Sequence, residues 1–81
     1  MKVVLSPKAA KYLKGMNEPG KGRIIRALEK LPQGDVKALQ GVPGLYRLRI
    51  GDWRVVFSYP AQDSILVERI APRGEIYKGG F

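Results

Sequence analysis

Three arginines, Arg47, Arg49 and Arg54, stand within one stretch, Gly44-Leu45-Tyr46-Arg47-Leu48-Arg49-Ile50-Gly51-Asp52-Trp53-Arg54-Val55-Val56-Phe57-Ser58-Tyr59. A guanidinium group is a planar fork of N–H donors that matches phosphate oxygens, so arginines gathered on one surface suit an anion. The register decides whether they are gathered. Residue types alternate on both sides of Gly51-Asp52, as in two half-buried strands joined by a tight turn. With those two residues as the loop, Ile50 faces Trp53, Arg49 faces Arg54, Leu48 faces Val55, Arg47 faces Val56 and Tyr46 faces Phe57. One face then carries Tyr46, Leu48, Ile50, Trp53, Val55 and Phe57, and the other carries the three arginines beside Val56 and Ser58.

Arg49 opposite Arg54 is a like-charge pair, which destabilises a sheet. At ~4 Å the repulsion is about 1 kcal/mol in water and about 4 kcal/mol at an effective dielectric of 20, before the side chains splay. A bound phosphate removes the conflict. For any one arginine the competing reading is a solvated outer face of a basic protein, but three on one patch of a short sheet favour an anion site.

The elements that must hold this hairpin follow from the rest of the chain. Val3-Val4-Leu5 is a short β-prone run; Ser6 then suits a helix cap and Pro7 its first position. Ala9, Tyr12, Leu13 and Met16 recur at helical spacing, with Lys8, Lys11 and Lys14 toward the opposite face, where they meet solvent or an RNA backbone. Gly15, Asn17, Glu18, Pro19 and Gly20 end this helix. A second is expected from about Lys21 to Leu31, with Ile24, Ile25, Leu28 and Leu31 as its apolar stripe and Pro32 as its stop. Together they supply a lid for the apolar face of the hairpin.

Gln33 to Pro43 reads as a connecting loop anchored by Val36, Leu39 and Val42. Pro60-Ala61-Gln62-Asp63 reads as a turn and Ser64 to Ile70 as a further strand. The expected fold is therefore α+β in the order β-α-α-β-β-β, a helical hairpin packed on a small antiparallel-rich sheet. Pro72 and Gly74 turn the chain after the last strand, which can bring Arg73 and Tyr77 back across the sheet.

Composition narrows the partners and the chemistry. Eighty-one residues make a single domain, 1–81, and the net charge of +8 points to polyanions. No apolar run approaches a membrane span and no signal-peptide core is present, so no membrane is expected and the setting reads as cytoplasmic. The chain has neither cysteine nor histidine, which removes disulfides, thiolate metal sites and the usual general base. No cofactor and no metal is implied. Catalysis must use Arg, Lys, Tyr, Ser or a carboxylate.

Leu39-Gln40-Gly41-Val42-Pro43-Gly44-Leu45-Tyr46-Arg47-Leu48-Arg49-Ile50-Gly51-Asp52-Trp53-Arg54-Val55-Val56-Phe57, followed by Ile70-Ala71-Pro72-Arg73-Gly74-Glu75-Ile76-Tyr77, resembles the RelE branch of the RelE/ParE toxin superfamily of type II toxin-antitoxin systems. The resemblance covers nearly the whole chain. It implies a helical hairpin on an antiparallel sheet, endonucleolytic cleavage of mRNA, commonly in the ribosomal A site, and inhibition by a cognate antitoxin. Arg47 and Arg49 match the family's basic pair on the first hairpin strand, Arg54 its arginine on the next, and Arg73 and Tyr77 the arginine and tyrosine of its last block. Many relatives carry histidine at the position of Pro72 and a second basic residue at that of Gly74. Some have lysines at the positions of Arg47 and Arg49, and arginine cannot inherit a lysine's role as base.

What the resemblance implies chemically is metal-independent attack by the RNA's own 2′-hydroxyl. Arg49 and Arg54 then stabilise the phosphorane, Arg73 the leaving oxygen, and Tyr77 is the candidate base if guanidinium neighbours lower its pKa from about 10. Arg47 positions the backbone, and Lys8 and Lys11 are candidates for contact with RNA or the ribosome. Tyr77 reads equally as an aromatic pinning the tail. Trp53 and Phe57 are expected in the core rather than stacked on bases. Two other readings stay open: a ParE-like inhibitor of DNA gyrase without nuclease activity, and a non-catalytic RNA-binding module.

Overall fold

The computed structural model describes residues 1–75, so Tyr77 lies outside the described residues. Its elements run β1 (Lys2–Leu5), α1 (Pro7–Lys14), α2 (Gly20–Glu29), β2 (Asp35–Ala38), β3 (Leu45–Ile50), β4 (Trp53–Ala61) and β5 (Ser64–Pro72). One five-stranded sheet has the order β1-β5-β4-β3-β2, in which β1 pairs β5 in parallel and the other neighbours are antiparallel. This is the expected helical hairpin on an antiparallel-rich sheet, with one more strand. That strand, β2, lies within Gln33 to Pro43, the stretch expected to be a loop.

The hairpin forms in the expected register, from Ile50 opposite Trp53 to Tyr46 opposite Phe57. Gly51 takes φ of 57°, a conformation that costs glycine little and suits the first position of the tight turn. The apolar face packs under the helices. Leu48, Ile50, Val55 and Phe57 join Ile65, Val67 and Ile70 of β5 with Ala9 and Leu13 of α1 and Ile24 and Leu28 of α2, all buried. Of the expected α2 stripe, Ile25 is left 39% exposed. A four-residue step from Ile24 to Leu28 follows the sheet, and Ile25 sits one position round the helix from that line.

Ser6 joins the two layers. Its Oγ accepts from the Ala9 backbone N–H at 3.0 Å, capping α1, and donates to the Glu68 carbonyl at 2.8 Å. Glu68 is itself an irregular position, because Phe57 pairs with Val67 while Val56 pairs with Arg69. One residue of β5 is extra there, a β-bulge, and alternation along the strand shifts by one residue beyond it. A second shift, between Ser58 and Ala61, carries Tyr59 and Pro60. β4 therefore runs on through the expected turn to Ala61, with Pro60 in the irregular part of the ladder where its missing N–H is tolerated.

Candidate functional site

Residues directly opposite one another in a sheet share a face, so the pairings place the outer surface residue by residue. Two rows cross four strands: Lys37, Arg47, Val56 and Arg69, then Asp35, Arg49, Arg54 and Ala71. At about 4.8 Å between strands each row spans roughly 14 Å. Arg47, Arg49 and Arg54 are therefore together, and Lys37 and Arg69 join them. Val56 and Ala71 are buried between the arginines, under Leu39 and Leu45. The segment between those leucines folds back on itself through the Leu39 N–H to the Leu45 carbonyl, 2.9 Å.

The Arg49–Arg54 conflict is answered within the chain. Asp35 stands opposite Arg49 on β2, its carboxylate 3.0 Å from Arg49 Nε and 3.9 Å from Arg47 Nη2. Arg54 turns its fork to the end of the hairpin, donating from Nη1 to the Gly51 carbonyl at 2.8 Å and the Trp53 carbonyl at 2.9 Å. A bound anion is thus not required for the face to exist. The face remains basic, since Lys37, Arg47, Arg49, Arg54 and Arg69 outnumber Asp35 and Glu68, and Glu68 accepts from Ser58 Oγ at 2.9 Å. The Arg47 side chain is 13% exposed while that of Arg49 is 58% exposed. Arg49 is the accessible guanidinium of the two and Arg47 is part of the floor.

Arg73 follows β5 and is exposed, with its backbone N–H bonded to the Asp52 carbonyl at 2.7 Å. That bond fixes the chain after β5 to the hairpin turn, beside Arg54. Lys8 and Lys11 are elsewhere. They lie on α1 in the helical layer and line a cleft with Tyr12, Met16, Arg23 and Trp53. Tyr12 meets Trp53 edge-on, 6.2 Å between ring centres. Burial, with the Glu75 carboxylate as a second cause, holds the Tyr12 phenol above its usual pKa, so it stays protonated and uncharged. Phe57 is fully buried and Trp53 half-buried, packed on the core from the cleft side.

Three residues of the outer face, Asp35, Lys37 and Arg69, escape a reading of the sequence, and Lys37 shares the β2 stretch with Asp35. Asp35 is distant in sequence and falls in a stretch punctuated like a loop. Arg69 sits two residues after Val67, and simple alternation sends it into the core; only the bulge at Glu68 turns it outward. The one available signal for Arg69 was chemical, since an arginine has no place in an apolar core. Among the described residues no cluster of carboxylates arranged to hold a metal ion is found. No described helix is long and apolar enough to cross a membrane.

Residues 3–77 match the family model described as the ParE toxin of the type II toxin-antitoxin system parDE. No curated protein sequence matches the chain significantly. Among solved structures, the fold is similar to a chain of the RelB-RelE antitoxin-toxin complex from Methanococcus jannaschii. That match has a TM-score of 0.74 and 23% identity, and covers 91% of this chain and 94% of that one. It is also similar to a chain of the archaeal RelE-RelB complex from Pyrococcus horikoshii OT3, with a TM-score of 0.70 and 30% identity over 90% of this chain and 94% of that one.

Proposed function

Because this chain belongs to the RelE/ParE superfamily of type II toxin-antitoxin toxins, we propose that its arginine face cuts messenger RNA, in the ribosomal A site, without a metal. The observation that carries this reading is the Arg49–Arg54 pair, set on one face with Arg47 and bordered by Arg73 at the turn. A phosphodiester laid on that face lies over the two strands that carry Arg49 and Arg54.

In the proposed reaction the RNA 2′-oxygen attacks the adjacent phosphorus and gives up its proton. The bond to the 5′-oxygen breaks, and that oxygen takes a proton. The products are a 2′,3′-cyclic phosphate and a 5′-hydroxyl, so the charge to be stabilised is that of the phosphorane and the leaving oxygen. Arg49 and Arg54 meet the first need and Arg73 the second, an electrostatic contribution that usually dominates such catalysis. Tyr77 is retained as the candidate base. Arg47 holds the backbone, and Lys8 and Lys11 extend the contact to RNA or ribosome. A cytoplasmic setting follows from such a target, and a cognate antitoxin with an acidic segment is the partner suited to cover the face.

A second reading has its own support, since the matching family model is that of a ParE toxin. It makes the chain an inhibitor of DNA gyrase with no nuclease activity. The test is a ribosome-programmed mRNA carrying one 2′-deoxy nucleotide at the mapped cleavage position, with chelator present. Cleavage of the all-ribose mRNA to a cyclic phosphate, and none at the 2′-deoxy position, supports the proposal. Gyrase inhibition with both mRNAs intact overturns it.

A further inference from the structure

A concavity of about 860 Å³ lies in the helical layer, on the other side of the sheet from the outer arginines. Its wall is Trp53, Tyr12 and Met16, and its cations are Lys8, Lys11 and Arg23. Among the described residues no carboxylate lines it. The edge-on contact of Tyr12 with Trp53, at 69° between ring planes, leaves a ring face of the pair uncovered by that contact. Gly20 lets α2 start close against the indole, since a Cβ there would lie 3.3 Å from Trp53 Nε1 and 3.4 Å from Met16 Cε.

The cleft is joined to the candidate catalytic face by a single turn. Arg23 lies against Gly51, its Nη2 2.6 Å from where a Cβ would stand. The same turn offers the Gly51 carbonyl to Arg54 and the Asp52 carbonyl to the Arg73 N–H. Cations thus border the Gly51-Asp52 turn from both layers, Arg23 on the helical side and Arg54 on the outer side, with the exposed Asp52 between the two strands. A groove of cations alone holds any polyanion; an aromatic wall beside them selects one that also has flat rings.

We propose that the Trp53 cleft binds one unpaired nucleobase with its adjoining phosphate, and so helps to set which nucleotide neighbours the phosphate held at Arg54. Choosing an RNA nucleotide as the ligand rests on the mRNA-cleavage reading. Occupancy of the cleft does not require cleavage, so the two fail separately.

Trp53 is the one tryptophan of the chain, so its fluorescence and its indole N–H resonance report this cleft alone. The probes are adenosine and guanosine 5′-monophosphate, inorganic phosphate at matched ionic strength, and a short all-deoxy oligonucleotide with and without one abasic position. The proposal expects a nucleotide to shift the indole resonance and quench the emission, inorganic phosphate to do neither, and the abasic oligonucleotide to bind more weakly. Arg23→Gln should weaken nucleotide binding by about three- to tenfold, and Lys14→Gln, off the cleft, by less than about twofold. Nucleotide binding should survive Arg54→Ala. An unmoved indole resonance, an equal response to inorganic phosphate, or equal losses in the Arg23 and Lys14 variants would overturn the proposal. An indole response in a protein that cuts no RNA would leave the cleft standing and remove the cleavage reading instead.

Discussion

Arg54 carries two duties that substitution can separate. Its guanidinium closes the hairpin end through two carbonyls, and it is proposed to meet the phosphorane. Arg54→Ala should lower mRNA cleavage by about 10²–10³, while the lost turn contacts cost only about 1 kcal/mol of stability. Cleavage kinetics beside a denaturant titration checks both. Asp35 acts in the opposite sense, because its carboxylate occupies the guanidinium that a phosphate would use. The pair is exposed on both sides and contributes about 0–1 kcal/mol to stability. Asp35→Asn should therefore leave the fold intact, tighten RNA binding and steepen its salt dependence by about one unit of slope, as read by fluorescence anisotropy across a salt series. Tyr12 gives a pH signature. Its folded-state pKa is raised above that of the unfolded chain, so its contribution to stability is complete below about pH 10 and is lost as pH rises through the folded value. Unfolding midpoints measured from pH 8 upward should fall in alkali, and Tyr12→Phe should flatten the fall.

Elements decide where those residues stand, and they were legible to different degrees. The hairpin could be read pair by pair, because apolar and basic residues alternate from Tyr46 to Val55 and Gly51-Asp52 admits one tight turn. Both helices could be read from Ala9-Tyr12-Leu13-Met16 and Ile24-Leu28-Leu31, whose spacing leaves one apolar side. β2 was hidden by Gly34, Gly41 and Pro43, since Asp35–Ala38 is a strand made by pairing with β3 rather than by its own propensity. Arg69 was hidden by the bulge at Glu68, a tertiary irregularity with no mark in the residue types. Ser6 ties that bulge to α1 through both of its hydrogen bonds. Ser6→Ala should cost about 1–2 kcal/mol, which in a domain of this size lowers the thermal midpoint by roughly 4–16 °C. Calorimetry checks this, and Ser6→Thr, which keeps the hydroxyl, should recover most of the loss.

At the scale of the whole molecule, the helices cover one face of the sheet and leave the other as a basic surface crossed by two rows of paired residues. The net charge of +8 draws polyanions to the whole chain, whereas the rows and the Gly51-Asp52 turn are the one place where the proposed function would hold a phosphodiester. Under the proposed function the same surface would suit an acidic antitoxin segment, and inhibitor and substrate would then compete for one set of arginines. The most direct measurement is primer extension on mRNA from a programmed translation system, with and without ribosomes, using wild-type protein and folded Arg54→Ala. Ribosome-dependent new 5′ ends with the wild type that vanish with Arg54→Ala are predicted. No new ends from folded wild-type protein, or undiminished ends from Arg54→Ala, would contradict the assignment of RNA cleavage to this face.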